Sequence, residues 1–304
     1  MNRSGAAPAP RSPGVRTITL DADGVTLSAL LLEAEQRPPR AVVVALHGGG
    51  MNAGYFDGQA HPHLSLLTLG ASLGYTVLAL DRPGYRHSAT RLPEGQSLAD
   101  QADSVHAALD DFTFRYETGA GLFLLAHSYG GKVALSAAAD PAGGNLLGLD
   151  ISGCGHTYAV ARNELPGSPR HGHWMRNWGP LRLYPPNTFR NSASMVAPMP
   201  ERERAEVARW PELFREVASR VLVPVRLTFA EHEAWWRHDE VTLAGLAAGF
   251  SRSPRVVVDR QPDAGHNMSL GWAARSYHLR AHAFFEECLA RYEATTTVQP
   301  ERAS

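Results

Sequence analysis

Residues 121–131 read GLFLLAHSYGG, an apolar run that ends in a turn around Ser128. The run 121–125 predicts a strand buried on both faces, and the residues after the turn predict a helix. So sharp a turn places the serine in a strained conformation with its hydroxyl above the sheet edge. The helix can approach the strand closely because Ala126 and Gly130 are small. The pattern indicates a nucleophile or, as the simpler alternative, a serine that only caps a helix.

Strands and helices alternate on both sides of this turn. Apolar runs predict further strands at residues 15–21, 25–33, 41–46, 76–80, 146–151, 221–229 and 255–258. Helical spacing predicts helices at residues 63–73, 98–116, 132–139, 201–210, 211–219, 241–250 and 270–292. The alternation predicts an α/β fold with a doubly wound, mostly parallel sheet of about eight strands and helices on both faces.

The domain boundaries follow from where this alternation stops. We expect the α/β core at residues 15–152 and 220–292, and the proline-rich stretch 153–219 as a helical lid or cap insertion. Residues 1–14 are expected to be a disordered leader, and residues 293–304 a frayed tail.

A histidine could act as the base for this serine, and two acidic residues are candidates for the carboxylate that orients it. A serine hydroxyl needs an imidazole to take its proton, and His266 follows a predicted strand late in the chain, as this architecture requires. With 14 histidines present, a surface-loop histidine is the alternative. The acid is expected after strand 221–229, where Glu233 has the spacing of a small-x-x-acid turn and Glu231 remains the alternative.

Backbone amides near the serine are expected to form an oxyanion hole. An acyl-transfer intermediate needs two N–H donors directed at its oxygen. Tyr129 directly follows the serine, and the glycines at 48–50 follow a buried strand without side chains to obstruct their amides. We therefore expect donors from Tyr129 and Gly49, with Gly50 as the alternative to Gly49.

Aromatic side chains are expected to line a substrate pocket over these groups. The candidates are Trp174 and Trp178 in the insertion, Trp235 and Trp236 just past the acid, and Tyr85 in a strand-end turn. The alternative for each tryptophan is that it only holds the lid together.

Composition limits the classes of partner and compartment. Lys and Arg number 29 against 30 Asp and Glu, which gives no reason to expect nucleic acid or an anionic membrane as a partner. Cys154 and Cys288 are too few for a disulfide framework, and no apolar run reaches the roughly 18 residues of a membrane span. We expect a reduced, soluble, cytoplasmic protein that binds no metal or cofactor; the oligomeric state stays open.

Five short motifs together resemble the α/β-hydrolase superfamily over residues 15–292. They are HGGG at 47–50, DRPGY at 81–85, AHSYGG at 126–131, AEHE at 230–233 and DAGHN at 263–267. The chain departs from the family pattern at Ala126, where glycine is usual, and at Arg86, where a small residue is common. Members with aspartate at the nucleophile position are dehalogenases or epoxide hydrolases, and Ser128 argues against both.

The resemblance implies a serine hydrolase with a small-molecule acyl substrate. It would cleave an ester, thioester or lactone through an acyl-enzyme on Ser128, with His266 as base and Glu233 as orienting acid. Two alternatives remain: the same three residues used for acyl transfer or cyclisation in a biosynthetic pathway, or a non-hydrolytic lyase or ligand-binding use of the fold.

Overall fold

A computed structural model describes residues 10–140, 144–166 and 173–298. Its strands are β1 (Arg16–Ala22), β2 (Val25–Leu32), β3 (Val42–Leu46), β4 (Thr76–Leu80), β5 (Leu122–His127), β6 (Leu146–Ser152), β7 (Val225–His232) and β8 (Val256–Gly265). Its α-helices are α1 (Leu66–Ser72), α2 (Leu98–Arg115), α3 (Tyr129–Ala138), α4 (His173–Trp178), α5 (Thr188–Asn191), α6 (Glu201–Val207), α7 (Trp210–Arg220), α8 (Glu240–Gly249) and α9 (Ala274–Val298).

The eight strands of the described residues form one sheet in the order β1-β2-β4-β3-β5-β6-β7-β8. The pairs β1–β2 and β2–β4 are antiparallel, and all other neighbours are parallel. This confirms the predicted doubly wound, mostly parallel sheet. The chain moves outward from β3 to β4 and then returns to the other side of β3 as β5. The direction of winding therefore reverses between β3 and β5, which is where such sheets leave a crevice at their carboxyl ends.

Side chains of the central strands alternate between two apolar layers. Val42, Val44 and Leu46 of β3 enter one cluster together with residues of α2 and α3. Val43 and Ala45 enter the opposite cluster, which includes residues of α1 and α9. Because every residue of β3 is buried, the strand has no polar face, as its continuous apolar sequence predicted.

Several boundaries differ from the sequence-based prediction. Helix α3 begins at Tyr129 rather than at residue 132, and β8 runs on to Gly265, so that His266 directly follows a strand end. Helix α9 continues to Val298, past the predicted start of a frayed tail. In the predicted leader, the Ser12 amide donates to Asp57 at 2.9 Å, so this part is packed on the molecule; residues 1–9, and 299–304 of the tail, lie outside the described residues.

Helices of the described chain do not offer a membrane span. None combines the length and the apolar composition that crossing a bilayer requires.

Candidate active site

The strand-end crevice gathers the predicted site residues from four strands. Leu46 of β3 pairs with Ala126 of β5, so the glycine loop after β3 lies beside the turn after β5. A Cβ built on Gly48 would lie 3.2 Å from the Cβ of Ser128. Glu233 follows β7 and His266 follows β8, at the same edge of the sheet.

Ser128 occupies a strained turn between strand and helix. Its φ is 53° and its ψ is −116°, outside the regions that non-glycine residues prefer. The Ser128 amide donates to the Ser152 carbonyl at 2.8 Å, which ties the turn to β6. Gly130 allows the close approach, because a Cβ there would lie 2.3 Å from the Leu46 carbonyl oxygen. The serine is therefore a strained elbow residue that makes no side-chain helix cap.

A chain of two hydrogen bonds joins Ser128, His266 and Glu233. His266 Nε2 lies 3.1 Å from Ser128 Oγ, and His266 Nδ1 lies 2.8 Å from Glu233 Oε2. The other Glu233 oxygen accepts from the Trp235 amide at 2.9 Å, which fixes the carboxylate in its turn. An ionised Glu233 requires the proton on Nδ1, and Nε2 is then left to accept the serine proton.

Opposing effects determine the protonation of Glu233. Burial alone would raise the pKa of this carboxyl, but its interaction with His266 and the hydrogen bond from the Trp235 amide lower it, and the pKa lies below its usual value. The carboxylate is therefore ionised at neutral pH. Its neighbour Glu231 is exposed and instead accepts from the Asp263 amide at 2.8 Å, so it does not reach His266.

Room for the histidine ring depends on Gly153, at the end of β6. A Cβ on Gly153, whose φ is +59°, would lie 2.9 Å from His266 Cε1. His127 packs on the other side, with its ring 4.8 Å from that of His266. Burial holds the pKa of His127 well below its usual value, so this second imidazole stays neutral and does not add charge beside the first.

Amides of Gly49 and Tyr129 border the space in front of Ser128. Neither has a hydrogen-bond acceptor among the described residues, which leaves both available for a ligand oxygen. Gly50 differs, because its amide donates to the Tyr85 hydroxyl at 3.0 Å. The amide of Tyr129 also opens helix α3, where the helix dipole favours negative charge.

A cavity of about 520 Å³ opens onto Ser128 and His266. Four of the predicted pocket residues line it: Trp174, Trp178, Trp235 and Trp236. Tyr85 does not, contrary to the prediction. Its ring is buried against His47, and its hydroxyl donates to Glu203 at 2.8 Å while accepting from Gly50, so it supports the glycine loop from behind.

The described residues of the predicted insertion (153–166 and 173–219) supply much of the cavity wall. Met199 packs on Gly49, where an added Cβ would lie 3.1 Å from Met199 Cε. The Ala197 amide donates to the Gly50 carbonyl at 2.9 Å, so the two segments are also joined by backbone.

The polar residues of the cavity wall that sequence reasoning missed include Lys132 and Asn177. Asn177 accepts from the Trp235 indole at 2.8 Å and positions that ring. A signal for Lys132 existed, since it is the single charged residue of an otherwise apolar helix and follows Ser128 by four positions.

A family model described as the alpha/beta hydrolase family matches residues 43–287. No curated protein sequence matches the chain.

Solved structures with the same fold are similar at low sequence identity. A thermostable carboxyl esterase from Bacillus coagulans has a TM-score of 0.71 and 15% identity, covering 91% of this chain and 100% of its own. A proline iminopeptidase from Mycobacterium smegmatis has a TM-score of 0.66 and 17% identity, with 91% and 100% covered. A lipase in its open form has a TM-score of 0.67 and 15% identity, with 90% and 99% covered. Identities this low relate the folds and not the substrates.

Proposed function

The chain belongs to the alpha/beta hydrolase family, and we propose that within it the protein is a serine hydrolase that cleaves an ester, thioester or lactone through an acyl-enzyme on Ser128. The observation that carries this proposal is the hydrogen-bond chain from Ser128 through His266 to Glu233. Three side chains from three separate turns meet in the order that proton transfer needs.

The first half-reaction acylates the serine. His266 Nε2 takes the proton of Ser128 as Oγ bonds to the substrate's carbonyl carbon, and the carbonyl electron pair moves onto its oxygen. The amides of Gly49 and Tyr129 donate to that oxyanion. When the intermediate collapses, the bond to the leaving oxygen or sulfur breaks, and the leaving group takes the proton from Nε2. Glu233 stabilises the imidazolium throughout.

The second half-reaction releases the acid. Water attacks the acyl carbon while His266 takes one of its protons. The new intermediate then collapses: the bond between the acyl carbon and Ser128 Oγ breaks, and Oγ takes the proton from His266 Nε2. The cavity volume and its tryptophan-rich wall suit a small to mid-sized apolar acyl group.

We also propose that the insertion acts as a lid on this cavity, in keeping with its contacts to the glycine loop.

Covalent labelling tests the nucleophile. A fluorophosphonate probe should label the native protein and should fail to label Ser128→Ala, whose kcat on aryl esters should fall by about 10⁶-fold. A native protein that resists the probe would contradict the proposal and leave a ligand-binding use of the fold.

Acyl transfer is the second candidate, favoured by the largely apolar wall of the cavity, which limits water around the acyl-enzyme. Turnover of aryl esters of increasing chain length, with and without an added alcohol, separates the two. Ester products that form in preference to free acid would assign transfer rather than hydrolysis.

A further inference from the structure

Lys132 places a buried ammonium group at the wall of the same cavity. It lies on α3 four positions after Ser128, is 3% exposed, and borders the space that the serine faces. Lysine is almost never fully buried unless it is paired, since removing an ammonium ion from water is costly. Because the Lys132 ammonium is buried at this cost in the cavity that contains Ser128, it is a candidate for binding the substrate.

Aromatic rings surround this ammonium group. Nζ lies 5.1 Å from the ring centroid of Tyr129 and 5.6 Å from those of Tyr158, Trp210 and Trp236. The electron-rich faces of such rings stabilise a cation without neutralising it. The rings come from α3, the insertion and the turn after β7, so the site is assembled only in the folded chain.

The ammonium group lacks a carboxylate partner. Among the described residues no acidic side chain forms an ion pair with Lys132. Glu203 and Glu206 act on its pKa only through longer-range attraction, and they have other partners: Glu203 pairs with Arg82 at 2.5 Å, and Glu206 accepts from the Leu98 amide at 2.7 Å. The one hydrogen bond from Nζ to a described residue goes to the Tyr158 hydroxyl at 3.0 Å. That hydroxyl in turn donates to the Val207 carbonyl at 2.9 Å. An ammonium group has three donors, so two remain for a ligand.

We propose that Lys132 binds a carboxylate of the substrate, so that this enzyme acts on an ester, thioester or lactone that carries a free carboxylate besides its scissile acyl group. The inference rests on the proposed hydrolase function and narrows its substrate class. A preplaced cation in an apolar wall attracts a carboxylate strongly, because its own desolvation has already occurred on folding. Lys132 is thus a specificity residue that orients the substrate relative to Ser128.

The pH dependence of binding gives a second signature. Burial lowers the pKa of Lys132 to about 8, so the free amine loses its charge above that pH. KM for a carboxylate-bearing ester should therefore rise about tenfold per pH unit above pH 8, whereas KM for a neutral ester should not. The charged and titratable groups that face Lys132 are Glu203, Glu206, Arg82, Cys154, Tyr129 and Tyr158.

Matched ester pairs test the proposal on both sides of the scissile bond. On the acyl side, the 4-nitrophenyl monoester of adipic acid is compared with 4-nitrophenyl hexanoate. On the alcohol side, 4-carboxyphenyl hexanoate is compared with 4-acetylphenyl hexanoate. In one of the two pairs, the native enzyme should show kcat/KM about 10- to 100-fold higher for the carboxylate ester. Lys132→Met should bring that ratio close to 1, and Tyr158→Phe, which keeps the charge, should retain most of it.

The two proposals fail in different ways. If native enzyme hydrolyses neutral esters but shows no carboxylate preference in either pair, or if the preference survives Lys132→Met, the role of Lys132 is overturned and the hydrolase proposal stands. If neither ester class reacts and the fluorophosphonate probe does not label Ser128, both fall. Calorimetric binding of the carboxylate ester from the preferred pair to Ser128→Ala, at least tenfold tighter than to Ser128→Ala/Lys132→Met, would support the site without turnover; equal affinities would overturn it.

Discussion

In the proposed mechanism Glu233 orients the catalytic imidazole, and both of its oxygens accept hydrogen bonds. One oxygen accepts a hydrogen bond from His266 Nδ1 at 2.8 Å, and the other accepts one from the Trp235 amide at 2.9 Å. The carboxylate is thereby held in one rotamer, and the imidazole in one tautomer. A group that fixes a tautomer acts on rate rather than on substrate affinity, since it affects the transition state more than the ground state.

Replacing Glu233 with Gln should lower kcat by about 10³- to 10⁴-fold with little change in KM, because the amide can present its N–H to Nδ1 and favour the wrong tautomer. Steady-state hydrolysis of an aryl ester measures this. Glu231→Gln is the matched control, since Glu231 stands two residues away and, among the described residues, accepts a hydrogen bond from the Asp263 amide but none from His266. Its kcat should stay within about threefold; a large loss from Glu231→Gln alone would reassign the acid.

Residues fixed by local backbone geometry are the ones that sequence could predict. Ser128 and His266 lie directly at strand ends whose positions follow from apolar runs. Spacing could favour Glu233 but not exclude Glu231, since the choice depends on which way a turn directs two nearby side chains. The direction of Tyr85 posed the same problem, and there the prediction was wrong. The aromatic surroundings of Lys132 could not be predicted, because the rings come from residues that are distant in the sequence.

A buried ion pair between Arg82 and Glu203 connects helix α6 of the insertion to the end of strand β4. Arg82 follows β4, Glu203 lies on α6, both side chains are fully buried, and their closest atoms are 2.5 Å apart. Arg82 also donates to the His47 carbonyl at 2.7 Å, and Glu203 also accepts from the Tyr85 hydroxyl. The same cluster therefore joins the insertion to the glycine loop.

Glu203→Ala should destabilise the protein by about 3–5 kcal/mol, because it leaves the Arg82 guanidinium buried without its counter-charge. It should also raise KM, because the part of the cavity wall that the insertion forms would be less firmly positioned. Urea unfolding followed by circular dichroism gives the first quantity and ester kinetics the second. Glu201→Ala, on the same helix, removes an exposed carboxylate and should cost less than about 0.5 kcal/mol. Equal effects of the two substitutions would contradict a fastening role.

The sheet as a whole could be predicted from the sequence, because a strand that is buried on both faces consists of a continuous run of apolar residues. Strand β3 is apolar at every position and β4 at every position but Thr76, both are buried throughout, and β4 was predicted with its observed limits. The later boundaries were harder, since β8 is partly exposed and extends through polar residues to Gly265. The order of the strands depends on where each connection crosses the sheet, which the apolar runs alone do not determine.

Besides His266, four histidines of the described residues are buried in the core, and burial keeps them neutral. They are His47, His127, His278 and His282. Desolvation lowers the pKa of each, to about 3 for His278, whereas an imidazole in the unfolded chain titrates near 6.5. Between these values the unfolded chain binds protons that the folded protein excludes. The stability that these residues contribute is therefore complete above about pH 6.5 and is lost progressively as the pH falls.

The free energy of unfolding should consequently decrease as the pH is lowered from 7 to 5, by up to about 1.4 kcal/mol per pH unit for each such histidine once the unfolded chain is protonated. Urea titrations at half-unit intervals, followed by tryptophan fluorescence, give this slope. His278→Gln should reduce the slope by about one histidine's share, whatever it does to stability at pH 7. By pH 7.5 the contribution of these histidines to the slope should have fallen to about a tenth of its value at pH 5, because about nine in ten imidazoles of the unfolded chain are then neutral. A free energy that stays constant down to pH 5 would show that the core admits protons, contrary to the burial of these four rings.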